Sequence, residues 1–199
     1  MILLFKVGQG KTFIKGIYIL LEGHSMEDVV TENIIVEAKI SDEFDLDAIA
    51  KELPDAKYNP DEFPGIEIRF PRASTIITKR GDFICSGAKD INEAKELLAK
   101  VVDILKEKGF KAKKKVKIEI KNLVISKDVK RWIDVKKLSL DLENVEYNPD
   151  KFPGAIYRGE NGLTALIFDS GKIVCVGSAD KKVLERFLKE VMEKIEGVG

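Results

Sequence analysis

Histidine is nearly absent from this chain: His24 is its only one among 199 residues, and cysteine occurs just twice, as Cys85 and Cys175. Two thiols and one distant imidazole cannot fill the four-ligand Cys/His set of a structural zinc site, so no metal and no cofactor is expected. Each cysteine is expected instead as a small buried residue on an equivalent strand, in a reducing compartment. The scarcity of histidine also removes the commonest general base. The carboxylates scatter as solvated charges, so no enzyme chemistry is expected. Net charge is missing too: 34 Lys+Arg stand against 34 Asp+Glu. A polyanion binder that works by bulk charge is thereby excluded, and any nucleic-acid role must come from local placement and shape. Long apolar runs are absent as well. Lys6, Lys11 and Lys15 break those near the N-terminus, and none approaches the ~20 residues of a membrane helix. No membrane partner is expected, and the location implied is cytoplasmic.

What the chain does have is a repeat. Tyr-Asn-Pro-Asp-x-Phe-Pro-Gly begins at Tyr58 and again at Tyr147, 89 residues later. A period that long is a half-domain written twice, not a solenoid unit. Two such halves around a pseudo-twofold axis suit a ligand that is itself nearly twofold, such as duplex DNA. The expected organisation is an N-terminal extension over 1–30, a first repeat over 31–112 and a second over 113–199. Within the extension, Gly8-Gln9-Gly10-Lys11-Thr12 has the look of a phosphate loop, but that motif needs glycine where Phe5 stands. No small-residue cleavage site follows it. The segment is expected to be a short extra strand pair, or to precede a true start at Met26, since Leu21-Glu22-Gly23 can be encoded with a ribosome-binding tract.

Laid on each other, the halves agree well beyond the tract. Glu32-Asn33-Ile34-Ile35-Val36 falls on Lys121-Asn122-Leu123-Val124-Ile125, and Arg69 on Arg158. Each half predicts a short amphipathic helix, near Leu46–Leu53 and Val135–Leu142, and ends in a long one with apolar residues at three/four spacing. Between them lie hairpins with glycine in the turn, Ser74–Thr78 with Phe83–Ser86 and Thr164–Phe168 with Ile173–Val176. The basic stretch Lys111–Lys117 reads as a solvated linker, with a DNA-flanking role as the alternative. Alternation puts Asn33, Ile35 and Glu37 on one face of the first strand and Ile34, Val36 and Ala38 on the other. Both hairpin faces are largely apolar, whereas helices gathered on one side cover only one of them. A large exposed apolar sheet is therefore expected, and such surfaces mark binding sites.

The doubled Asn-[Ile/Leu]-[Ile/Val] strand, the doubled Asn-Pro-x-x-Phe-Pro-Gly, the following arginine and Ser170-Gly171-Lys172-Ile173-Val174-Cys175-Val176-Gly177 together resemble the TATA-box-binding protein family, in its archaeal form. The likeness covers about residues 31–197. It implies an α+β saddle in which two pseudo-symmetric halves form a curved antiparallel sheet with four helices on the convex face. The concave face of this family sits on the minor groove of A·T-rich DNA, and the family is itself a known example of kinking by apolar wedges. By this resemblance Asn33 and Asn122 are the central amides. Ile35, Ile76, Ile84, Val124, Leu166 and Val174 form the apolar floor, and Arg69 and Arg158 contact phosphate. Phe63, Phe152 and Phe168 are the wedges.

Departures from the family pattern gather in the first half. Thr78 stands where its second wedge belongs, Glu37 shares the face with Asn33, and Asp82 replaces the hairpin lysine that Lys172 preserves. Ser86 substitutes for a hydroxyl at the end of its strand, and Val176 does not. The first half should therefore bind DNA less well than the second. The implied partners are transcription factor B, met at the second tract by Asn148, Asp150 and Lys151, and RNA polymerase indirectly. Asn148 and Lys151 stand where Glu and a neutral residue are common. The implied role is promoter recognition in the nucleoid, with a protein-interaction module of weak or no TATA binding as the alternative. An accessory domain of a nuclease or glycosylase ranks behind both.

Overall fold

The computed structural model describes residues 29–198. The expected extra strand pair and the start at Met26 lie outside these residues. Two compact units emerge. One is Ile35–Glu119, and the other combines the stretch ending at Ile34 with the chain from Ile120 onward.

In chain order the elements are β1 (Val30–Lys39), α1 (Leu46–Glu52), β2 (Lys57–Tyr58), β3 (Gly65–Arg69), β4 (Ser74–Thr78), β5 (Asp82–Ala88) and α2 (Ile91–Glu107). There follow β6 (Ile118–Asp128), α3 (Val135–Asp141), β7 (Val145–Tyr147), β8 (Ala155–Arg158), β9 (Thr164–Ile167), β10 (Lys172–Ser178) and α4 (Lys181–Val198). A 3-10 turn over Glu160–Gly162 precedes β9. The strands form one ten-stranded sheet in the order β2-β3-β4-β5-β1-β6-β10-β9-β8-β7.

The long helices form where the sequence predicts them, and side-chain caps fix their starts. Asp90 accepts hydrogen bonds from the Asn92 and Glu93 amides, and the Glu93 carboxylate takes the amide of Lys89. The bonds to Asp90 satisfy donors that the first turn leaves open, and the bond from Lys89 ties the preceding residue to that turn. Asp45 and Asp134 cap α1 and α3 in the same way, through Ala48 and Lys137. In α2 the apolar stripe Ala94, Leu97, Leu98, Val101, Val102 and Leu105 is buried, and the helix packs on β5. Helix α4 buries Leu184, Phe187, Leu188, Val191 and Ile195 and packs on β10. Each large apolar side chain so buried contributes roughly 1.5–3 kcal/mol.

The helix-covered face of the sheet carries Ile34, Val36 and Ala38 from β1, and Phe83, Cys85, Ala165, Ile167, Ile173 and Cys175 from the hairpins, all buried. Both cysteines are free, at matching points of the two halves as the repeat predicts. Burial pushes both thiols up to about 12, with the Glu93 carboxylate adding to the effect at Cys85. The basic stretch is more than a solvated linker. The Lys113 amide donates to the Ile40 carbonyl at 2.8 Å, Ala112 is buried, and Lys114 meets Asp103 at 2.5 Å. Among the described residues, no helix is long and apolar enough to cross a membrane.

Candidate nucleic-acid interface

The repeated tract folds as a tight turn in each unit because of its Asn and Pro. The Asn59 carbonyl accepts the amides of Glu62 and Phe63, at 3.1 and 2.9 Å, and the Asn148 carbonyl accepts those of Lys151 and Phe152, both at 3.0 Å. Proline after the asparagine has no amide to satisfy and a φ already set for the turn. Asn148, Asp150 and Lys151 are all exposed on the second turn.

The glycine ending each tract lets an aromatic ring lie against the sheet. A Cβ on Gly154 would stand 2.8 Å from the Ile167 carbonyl and 3.1 Å from both the Phe152 and Phe168 rings. Those two rings are 5.6 Å apart and tilted by 58°. At Gly65 the same atom would meet the Phe63 ring at 2.7 Å and Ile76 at 2.8 Å. In the first unit, however, Phe63 has no aromatic mate among the described residues. Thr78, in register with Gly65, is turned into its own hairpin. Its hydroxyl donates to the Asp82 carboxylate at 2.9 Å and accepts the Asp82 amide at 3.1 Å.

Strand register shows which side chains share the face away from the helices. In the second unit Ser126, Val174, Leu166, Ile156 and Glu146 form one cross-strand row. Val124, Val176, Thr164 and Arg158 form the next. In the first unit the matching rows are Ile84, Ile76, Glu67 and Lys57, then Ser86, Ser74 and Arg69. Asn122 closes the second unit's face. Its side-chain oxygen accepts the amide of Gly177 at 3.2 Å, which directs its nitrogen donors elsewhere. Gly177 sits at a register shift of β10 with φ 111°. A Cβ there would come within 2.4 Å of the Gly162 carbonyl.

The expected broad exposed apolar sheet needs correcting. Ile35, Ile84 and Val124 are half-buried, as are Asn33, Asn122, Ser86, Thr78, Phe63, Phe152, Phe168 and Arg158. Ile76, Leu166, Val174 and Val176 are only 2%, 1%, 2% and 7% exposed. In-register neighbours on both sides take up their accessible surface. Among the described residues, the large hydrophobics that do stand in solvent are Trp132, just before α3, and Leu140, within it, at 69% and 77%. Asn33 and Ile35 fall in different compact units.

Register also reveals residues the sequence reading passed over. Glu67 occupies the place in the first unit's row that Ile156 holds in the second. Period-two alternation from Arg69 was the available signal, since residues two apart on a strand share a face. Burial acts to raise the Glu67 carboxyl, yet hydrogen bonds from Arg69 and Ser74 and the Arg69 charge outweigh it and hold the pKa below its ordinary value. Both Glu67 oxygens engage Arg69, at 2.8 and 3.2 Å, and Ser74 donates to one of them at 2.8 Å. Arg158 spans the two oxygens of Glu146 at 3.4 Å each. Lys172 donates to Glu32 at 2.9 Å, and Ser126 donates to the same oxygen at 2.6 Å. In the first unit Asp82, at the position aligned with Lys172, pairs with Lys39 at 3.4 Å.

Comparison with known proteins identifies the family and the fold. The family model "Transcription factor TFIID (or TATA-binding protein, TBP)" matches residues 28–108 and again 117–198. The chain belongs to the TATA-binding protein family. The TATA-box-binding protein of Aeropyrum pernix is 35% identical over 188 residues, covering 93% of each chain. That of Pyrococcus abyssi is 36% identical over 171 residues, covering 84% of this chain and 90% of its own. The solved Methanococcus jannaschii TBP superposes with a TM-score of 0.76 at 32% identity, over 85% of this chain and 99% of that one. The fold is accordingly the α+β fold of this family, with an open ten-stranded sheet and four α-helices among the described residues.

Proposed function

We propose that this chain is a general transcription initiation factor that binds the minor groove of A·T-rich promoter DNA, the TATA box, and bends it. The observation that carries this reading is that both halves match the TATA-binding protein family model. At A·T pairs the minor groove offers only acceptors, and at G·C it adds the guanine amino donor. An apolar floor of Ile35, Ile76, Ile84, Val124, Leu166 and Val174, continued by Val176, tolerates the first and clashes with the second. Asn33 and Asn122 donate to the acceptors at the centre. Phe152 and Phe168 act as a wedge pair at one end, with Phe63 alone at the other beside Thr78 and Ser86. Arg69 and Arg158 meet phosphates. Unstacking a base step costs a few kcal/mol, offset by the surface that a bent duplex covers.

Asn148, Asp150 and Lys151 form the proposed contact for transcription factor B, through which RNA polymerase is recruited, and DNA binding makes the chain nucleoid-associated in the cytoplasm. A gel-shift assay with an A·T-rich duplex, with and without transcription factor B, tests this. A shifted complex that the factor strengthens supports the reading. No complex even with the factor present defeats it.

A further inference from the structure

We propose that Glu32, Glu67 and Glu146 are built-in competitors of DNA phosphate, each holding one cation of the interface in the free protein and so setting the salt dependence of DNA binding. This rests on the DNA-binding reading above. A carboxylate and a phosphate present the same paired oxygens to a guanidinium fork. Arg69 and Arg158 each have that fork filled by the two oxygens of one glutamate, and Lys172 is engaged by a carboxylate that Ser126 also anchors.

The three pairs are not copies of one another. At the repeat offset Glu67 aligns with Ile156, Glu146 with Lys57 and Glu32 with Lys121. The arginines keep their places in both halves, while the carboxylates that meet them come from different strands: β3 for Arg69 and the edge strand β7 for Arg158. The same neutralisation therefore arises by two routes, as a requirement on the cation and not on the strand would produce. The Arg158–Glu146 pair, exposed on both sides, adds little to folding stability. The consequence of the three pairs lies in binding. Each free cation that neutralises a phosphate steepens the fall of log K with log salt by about 0.9, and a cation that must first leave its glutamate contributes less.

The test is a fluorescence-anisotropy titration of an A·T-rich duplex across a tenfold range of salt, using the full chain, E32Q, E146Q and, as a control for net charge, E185Q. Glu185 pairs with Lys181 on α4. At low salt E32Q and E146Q should each bind roughly three- to tenfold tighter, with a slope steeper by up to about 0.9. E185Q should leave the slope as it is. Equal slopes for the unaltered chain, E32Q and E146Q, or the same steepening in E185Q, overturn the proposal while leaving DNA binding intact. If no form binds the duplex at any salt, the DNA-binding reading fails and this inference falls with it.

Discussion

At the scale of single residues, Thr78 is the sharpest difference between the halves. Its hydroxyl is satisfied inside the hairpin by Asp82, whereas Phe168 packs against Phe152. Gly65 lies in register with Thr78, so a ring there would have the bare backbone beside Phe63 that Phe168 finds at Gly154. T78F combined with E37T should tighten binding to an A·T-rich duplex by about tenfold, on the order of 1.4 kcal/mol. An unchanged Kd would mean that the first half does not engage the groove.

The buried thiols permit a second prediction. With both pKa values at about 12 there is little thiolate to react, so a thiol reagent at neutral pH should modify Cys85 and Cys175 only after unfolding. Because the folded values lie above the ordinary 9.0, the stability they support is intact below that pH. It declines as pH rises from there toward the folded value. Glu67 has the opposite sign. Its folded pKa lies below the ordinary 4.5, so its contribution is present above that pH and is lost as pH falls through the folded value. Chemical denaturation of E67Q against the unaltered chain should show a gap near neutrality that closes in acid.

At the scale of elements, local chemistry decides where the helices begin. D90A removes the acceptor for two amides of the first turn of α2 and should cost about 1 kcal/mol in denaturant unfolding. That helix, its counterpart α4 in the second repeat, both hairpins and the doubled turn could be read from the sequence, because each rests on contacts within a few residues: apolar spacing, a turn glycine, Asn followed by Pro. Other features could not. The 3-10 turn over Glu160–Gly162, with Asn161 at φ 54°, has no counterpart signal in the first half. Glu146 meets Arg158 only because β7 folds beside β8, and Glu32 reaches Lys172 from 140 residues away. Such pairings depend on register, which no local pattern specifies. The low exposure of Leu166 and Val174 was hidden for the same reason: it is set by side chains on neighbouring strands.

At the scale of the whole molecule, the two halves share a fold and differ in what they offer to a ligand. In the second unit's row the stretch from Ser126 through Val174 and Leu166 to Ile156 is apolar but for one hydroxyl and meets a carboxylate only at the edge, at Glu146, while the first unit's row puts the carboxylate of Glu67 directly beside Ile76. The second unit also has the paired rings. F168A should therefore weaken DNA binding more than F63A, by roughly tenfold or more against a few-fold, since only the former breaks a ring pair whose packing is worth about 0.5–1.5 kcal/mol beyond its area.

The most direct measurement uses inosine. An I·C pair presents the minor-groove acceptors of A·T without the guanine amino group, while its major-groove edge is that of G·C. Equilibrium binding should be compared on three duplexes that differ only in carrying A·T, I·C or G·C across the site. The predicted result is similar affinity for A·T and I·C with binding lost on G·C. Affinity for I·C as poor as for G·C would contradict minor-groove recognition by this face.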